Sequence, residues 1–220
     1  MRDEDFNYFI SKFGEATHCI EAPPASIEKW RGKLPDQLLK YWQEEGWCNY
    51  ANGLFWTVDP DEYEDLVEEW LEGTPLEKFD DFHVIARSAF GDLYLWGERT
   101  GDSVSISCSI NAIIALGSNL NRKIDNPDFY ARTFFSNKSP NHCDLDDKSG
   151  QPLFQRALAK LGPLAPDEMY GFEPAIVLGG KMLLENLVKV QLDVHLTILR
   201  QLAPPTMPFS NIDIDKLLKL

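Results

Sequence analysis

One acidic, amphipathic segment constrains the fold of this chain more than any other feature. Between Asp59 and Asp81 the sequence holds eleven carboxylates and a single cation, Lys78. Its apolar residues recur at helical spacing: Tyr63, Leu66, Val67, Trp70 and Leu71. A helix with one apolar stripe places that stripe on a core and leaves its other face in water. The segment therefore predicts a surface helix that begins near Pro60, ends before Gly73 and presents a dense negative face.

The negative charge is concentrated in the first half of the chain. Residues 1–100 hold 22 acidic and 9 basic residues, whereas residues 101–220 hold 13 and 12, so nearly all of the net charge of −14 lies before residue 101. Such a surface repels nucleic acid and anionic membranes, and it attracts a basic partner at long range. The acidic face is equally typical of an ordinary solvated helix, because carboxylates spread around a helix do not converge on one cation.

Length, composition and cysteine spacing set further bounds. A chain of 220 residues with 44% hydrophobic residues forms one large or two small soluble globular domains. It has no apolar run long enough to span a membrane, and its first residues lack an apolar signal core, so we expect a cytoplasmic protein. The four cysteines are far apart and form no Cys-x-x-Cys pair, and we expect four reduced, mostly buried thiols. They are Cys19, Cys48, Cys108 and Cys143.

The order of predicted elements favours an α+β fold. Helices are expected at 6–13, ending at Gly14, and from Pro35 to Gly46. The stretch 82–114 alternates apolar residues between turn signals, which indicates an antiparallel meander. Another helix is expected at 153–161, whereas the stretch 184–190 could be strand or helix. We expect a mostly antiparallel sheet flanked by helices, followed by a smaller helix-rich module packed on it.

The same patterns suggest a division of the chain. The predicted parts are a first domain at 1–118, a polar connecting region at 119–150, a C-terminal module at 151–205 and a tail at 206–220, whose residues 212–220 form a small amphipathic end.

No catalytic, cofactor or metal motif stands out. His142 lies beside Cys143 and Asp144, but no second ligand pair follows at zinc spacing. Gly179-Gly180 lacks the rest of a phosphate-binding motif and indicates a sharp turn. We therefore expect no catalytic residues, no cofactor and no metal.

A protein-binding surface is the site that the residues favour. In the predicted strands around Phe55-Trp56 and Tyr94-Leu95-Trp96, neighbours point to opposite faces, so we expect one aromatic of each set to face away from the core. The predicted partner-binding residues are the carboxylates of the acidic segment and two aromatics: Asp59, Asp61, Glu62, Glu64, Asp65, Glu68, Glu69, Glu72, Trp56 and Tyr94.

Several short motifs in both halves resemble a known pair of domains. The first half resembles the GAD-like domain found in bacterial immunity proteins, at Phe13-Gly14-Glu15-Ala16, Leu34-Pro35, Tyr41-Trp42 with Gly46, Gly53-Leu54-Phe55-Trp56, and Phe90 to Gly97. The second half resembles the uncharacterised domain commonly fused to it, at Leu161-Gly162, Asp167 to Phe172 with Pro174-Ala175, Leu178-Gly179-Gly180, Glu185-Asn186-Leu187, and Val194-His195-Leu196. Together the two likenesses cover most of residues 6–203, and the tail after Pro204 lies outside them.

This resemblance implies an antitoxin-like role. Proteins of this architecture are encoded beside DNase effectors of type VI secretion systems and protect the producing cell. Their fold is similar to that of the SMI1/KNR4-type immunity proteins, with a mostly antiparallel sheet flanked by helices. The family has no established catalytic residues, so none is carried over to this chain. The partner that the resemblance implies is a cognate nuclease toxin.

Two other functions stay open at the level of sequence. One is a small-molecule enzyme with a site between the two modules, near His195 and Glu185, where ionisable groups occur in an apolar segment. The other is an RNA-associated module, suggested by the tRNA-charging relatives of the GAD fold. The net charge of −14 argues against it.

Overall fold

The computed structural model describes residues 2–209. Its centre is an antiparallel sheet of seven strands in chain order, so each strand pairs with the next one along the sequence. The strands are β1 (His18–Ile20), β2 (Trp47–Tyr50), β3 (Phe55–Thr57), β4 (Phe82–Ser88), β5 (Leu93–Gly97), β6 (Gly101–Ser107) and β7 (Ala112–Ala115). The predicted meander over 82–114 is confirmed as β4 to β7.

Helices surround this sheet, as the α+β prediction required. They are α1 (Glu4–Phe13), α2 (Pro24–Trp30), α3 (Asp36–Glu45), α4 (Glu64–Leu71), α5 (Gly117–Leu120), α6 (Pro127–Asn137), α7 (Pro140–Cys143), α8 (Phe154–Leu161) and α9 (Leu192–Leu202). Local signals fix the first of them. The carboxylate of Asp3 accepts from the backbone N–H of Phe6 at the start of α1, and Gly14 ends the helix at φ 78°.

One face of the sheet is covered by α1, α3 and α6 through aromatic side chains. The ring of Phe55 on β3 lies 5.5 Å from that of Phe9 on α1 and 6.5 Å from that of Phe135 on α6. Tyr41 on α3 packs against Phe135 at 5.3 Å. Because α6 supplies part of this core, the predicted connecting region is an integral layer of the structure.

The opposite face of the sheet receives α4 and the C-terminal module. That module contains α8, α9 and a two-stranded antiparallel ribbon, β8 (Glu168–Phe172) and β9 (Leu187–Gln191). The ambiguous stretch 184–190 therefore lies mainly in a strand.

Backbone and side-chain contacts join the module to the sheet. The N–H of Tyr170 donates to the carbonyl of Ala89 at 2.8 Å. The guanidinium of Arg87 stacks over the ring of Trp56 at 4.4 Å and donates to the carbonyl of Pro166 at 2.7 Å. Arg87 is fully buried, and burial lowers its pKa.

The cysteine prediction is wrong for one pair. Cys19 on β1 lies directly opposite Cys48 on β2, and the two form a disulfide with Cα atoms 4.1 Å apart. Directly opposed residues of antiparallel strands approach to about 4.5 Å in the narrow pairs of the ladder, which brings two thiols together. Sequence spacing could not reveal this, because 29 residues separate the pair. Cys108 and Cys143 are free and buried, as expected.

The last described residues close the other edge of the sheet. Thr206 forms a parallel bridge with Ala112 of β7, and the N–H of Ile113 donates to the carbonyl of Thr206 at 2.8 Å. The start of the predicted tail is thus part of the fold. The predicted amphipathic end at 212–220 lies outside the described residues.

Candidate functional site

The acidic segment folds around a short helix on the sheet. A turn of 3-10 helix at Pro60–Tyr63 leads into α4, and the carboxylate of Asp59 accepts from the N–H of Asp61 at its start. The predicted apolar stripe is confirmed, since all five of its residues are buried. The helix is shorter than the segment, because after Leu71 the chain turns through Gly73 at φ 71°.

The carboxylates of this segment are mostly in solvent. The exposed ones are Asp61, Glu62, Glu64, Asp65, Glu68, Glu72, Glu77 and Asp81, whereas Asp59, Glu69 and Asp80 are half-buried. Lys29 on α2 pairs with Asp61 at 2.6 Å and approaches Glu64 at 3.9 Å. Within residues 2–209, Asp65, Glu68 and Glu72 form no ion pair.

These side chains border an open groove between α4 and the segment that leads into β4. Eight carboxylates line it: Glu64, Asp65, Glu68, Glu69, Glu72, Glu77, Asp80 and Asp81. Its floor includes apolar side chains, among them Phe82. The groove is therefore strongly negative with an apolar base, which suits a partner whose cations sit on aliphatic stems.

Not every acidic residue of the segment is free to bind a partner. Asp80 accepts from the backbone N–H of Thr100 at 3.0 Å and from its hydroxyl at 2.7 Å, so it holds the turn before β6. Glu77 accepts from the N–H of Gly73 at 2.8 Å. Burial raises the pKa of Asp59. These three carboxylates have structural partners.

Helix α9 of the C-terminal module forms hydrogen bonds with α4, the helix of the acidic segment. The hydroxyl of Thr197 donates to the carboxylate of Glu69 at 2.9 Å. Arg200 donates to the backbone carbonyl of Glu69 at 3.0 Å and to that of Glu72 at 2.8 Å. The last carbonyls of a helix lack partners within the helix, and a cation at this end also offsets the helix dipole. The sequence gives little sign of this role, since a single arginine in an apolar helix does not reveal what it faces.

The two predicted aromatic anchors do not face solvent. Trp56 is 5% exposed, and its indole N–H donates to the carbonyl of Gly53 at 2.7 Å. Tyr94 is half-buried, and the amine of Lys138 lies 3.5 Å from its ring centroid. The expectation of an outward aromatic in each set is wrong because both faces of the sheet are covered. The edge of Trp56 still lines an open groove beside α8.

The other candidate sites, an enzyme site near His195 and Glu185 and a metal site, find no matching arrangement of side chains among residues 2–209. His195 lines a cavity of about 10 Å³, room for one water, and Glu185 is not in its lining. Burial lowers the pKa of His195. Across residues 2–209 no group of three or more His, Cys, Asp or Glu side chains is arranged to hold a metal. No helix in that part of the chain is long and apolar enough to cross a membrane.

Two protein families match successive parts of this chain. Residues 4–110 match the GAD-like domain family. Residues 130–203 match the family described as T6SS immunity protein Tdi1, C-terminal. The chain belongs to this two-part immunity protein family. The resemblance inferred from short motifs is thereby confirmed over both halves of the immunity protein.

A solved structure supports the fold of the immunity protein. The crystal structure of Atu4351 from Agrobacterium tumefaciens superposes with a TM-score of 0.81 at 22% sequence identity, covering 92% of this chain and 91% of that one. At this identity the likeness shows the fold alone. No curated protein matches the sequence.

Proposed function

We propose that this immunity protein binds and neutralises a cognate nuclease toxin, a type VI secretion DNase effector, through the acidic groove. The observation that carries the proposal is a groove lined by eight carboxylates in a chain of an immunity family. A DNase presents a cationic surface to its phosphate-rich substrate. An inhibitor that offers carboxylates to that surface competes with DNA for the same charges.

The proposed role of charge is mainly kinetic. Attraction between opposite potentials raises association rates by roughly 10- to 1,000-fold and is weakened by salt. Because α4 is anchored by its buried stripe and by Arg200, the backbone that carries its exposed carboxylates is already in place before a partner arrives. Pre-organised charges cost less ordering entropy on binding than charges on a flexible loop.

Apolar contacts would hold the complex after encounter. Of the proposed anchors, Tyr94 is half-buried and Trp56 is buried, so Trp56 would contribute only through its edge in the groove beside α8. We place the inhibitor in the cytoplasm, where the chromosome that a DNase attacks is found, and we propose no catalytic step for it.

Charge reversal in the groove tests this proposal. A variant with Asp65→Lys, Glu68→Lys, Glu72→Lys and Asp81→Lys changes four exposed carboxylates that line the groove and make no ion pair within residues 2–209. Binding to the purified nuclease encoded beside this protein would be followed by stopped-flow kinetics at several salt concentrations. We expect association to slow by at least about tenfold and its salt dependence to flatten.

A matched control separates local from global charge. Reversal of Asp125, Asp146, Glu173 and Glu185 to lysine makes the same change in net charge at exposed positions away from the groove. Circular dichroism would verify that both variants are folded. If both slow association equally, the groove is a solvated face. If the wild-type protein neither binds the nuclease nor blocks plasmid cleavage, the whole proposal fails.

A further inference from the structure

A second, smaller cavity lies on the other face of the sheet, where the end of α6 meets β5, β6 and β7. Its volume is about 150 Å³. One side is polar and includes Ser105, Asn119 and the amine-bearing side chain of Lys138. The rest of the lining includes the apolar side chains of Ile114, Leu116 and Phe134. The cavity is separate from the acidic groove, and the function proposed above does not use it.

Lys138 is an unusual component of this cavity. It follows the last residue of α6, and its amine lies 3.5 Å from the centroid of the Tyr94 ring and 4.6 Å from that of Phe134. Within residues 2–209 no carboxylate comes within ion-pair distance of this amine. Burial lowers the pKa of Lys138 to about 8, so the amine is still mostly protonated at neutral pH. A half-buried cation that lies against ring faces and forms no ion pair is open to an anionic partner.

Some of the neighbouring polar groups already have hydrogen-bond partners, and others are available to bind a ligand. Asp102 accepts from Arg122 at 2.6 Å, and the hydroxyl of Ser103 is bonded to that of Thr100 at 2.8 Å. By contrast, neither the hydroxyl of Ser105 nor the side-chain N–H₂ of Asn119 donates to another group of residues 2–209. The cavity therefore offers one cation and two available donors along one wall.

We propose that this cavity binds a short-chain monocarboxylate, with Lys138 as its counter-ion and the apolar wall around its hydrocarbon part. This cavity is open to solvent on one side, and its volume of about 150 Å³ is enough for a molecule of roughly six heavy atoms, the size of benzene. A single negative charge balances Lys138. A phosphate dianion is disfavoured, because Asp92 and Asp102 already interact with this amine through space.

Binding of butyrate, with acetate and inorganic phosphate as comparison anions, tests the assignment. Two-dimensional NMR of the labelled full chain would follow the backbone amide of Ser105 and the side-chain amide of Asn119. We expect saturable shifts with butyrate in the millimolar range, weaker binding of acetate because it lacks the hydrocarbon part, and no saturable shift with phosphate.

Two variants keep the test falsifiable. Lys138→Met preserves the packing of the stem on both rings and removes the charge, so butyrate affinity should fall by at least about tenfold. Lys148→Met, at an exposed lysine outside the cavity, should leave it unchanged. Asn119→Leu should weaken binding without touching the cation. Equal affinity in the wild-type and Lys138→Met proteins, tighter binding of phosphate, or the absence of saturable butyrate binding would overturn the proposal.

Discussion

Arg200 of α9 donates to the backbone carbonyl of Glu69 on α4 at 3.0 Å. This contact ties the last turn of the acidic helix to the C-terminal module, which lies 131 residues further along the chain. The two halves matched by separate families therefore meet at the proposed toxin-binding helix.

Loss of this brace should destabilise the protein. The Arg200→Met substitution keeps the aliphatic stem and removes the donors to the carbonyls of Glu69 and Glu72, so the free energy of unfolding should fall by about 1–2 kcal/mol. Urea denaturation measures it. As a control, Arg31→Met breaks only exposed pairs, with Glu28 and Asp36, and should leave the free energy of unfolding nearly unchanged. Equal effects would mean that the Arg200 contact contributes nothing specific.

The buried carboxyl of Asp92 should make stability depend on pH. It accepts from the hydroxyls of Ser88 and Ser107, but burial raises its pKa to about 6, above the value of about 3.9 in an unfolded chain. Between these values the folded state binds more protons, so stability falls as pH rises from about 4 to 6.

Asp92→Asn should remove this part of the pH dependence. The difference in unfolding free energy between variant and wild type should shift by about 1–3 kcal/mol in favour of the variant as pH rises from about 4 to 7. Urea denaturation of both proteins at several pH values measures this difference. The contributions of the other titrating groups cancel because both proteins contain them. Parallel curves for the two proteins would show that Asp92 ionises normally.

The disulfide predicts the number of reactive thiols. In protein purified without reductant and then denatured, two thiols should react with a thiol reagent, those of Cys108 and Cys143, rather than four. Reduction should lower the free energy of unfolding by roughly 3 kcal/mol, because it frees a loop between residues 29 apart in the chain. The Cys19→Ser variant should be insensitive to reductant. Four reactive thiols in the air-oxidised protein would rule the bridge out.

Asn111 should be needed to hold the segment that closes the sheet edge. It has a left-handed backbone at φ 50°, and its side-chain N–H₂ donates to the carbonyls of Ala203 and Pro204 at 3.1 and 3.2 Å. Asn111→Asp replaces the donor by a negative charge facing both carbonyls, so stability should fall by about 1–3 kcal/mol.

Hydrogen exchange tests locally whether Asn111 holds the segment from Ala203 to Thr206. The N–H of Thr206 donates to the backbone carbonyl of Asn111, so its protection should fall in Asn111→Asp. Asn111→Gly allows the left-handed backbone and removes only the side-chain bonds, and its loss should be smaller. Unchanged protection of Thr206 in Asn111→Asp would show that the side chain does not hold the segment.

The sequence by itself determined the local elements and the class of fold. The spacing of apolar residues predicted the buried stripe of α4 and the meander from β4 to β7. A glycine at the end of an apolar pattern predicted the end of α1 at Gly14. These features depend on neighbours within a few residues, where helix and strand periods and glycine stops act directly. The motif resemblance also identified the two-part family, because it compares residues in chain order.

Tertiary structure alone decided the contacts between distant segments. The Cys19–Cys48 bridge depends on the register of β1 against β2, and the brace of Arg200 depends on where the second module docks. The burial of Trp56 and the partial burial of Tyr94 have the same origin, since alternation along a strand shows that neighbours face opposite sides but not that both sides are covered. The sequence carries the charge and period of each segment, whereas packing determines which surfaces remain exposed to bind a partner.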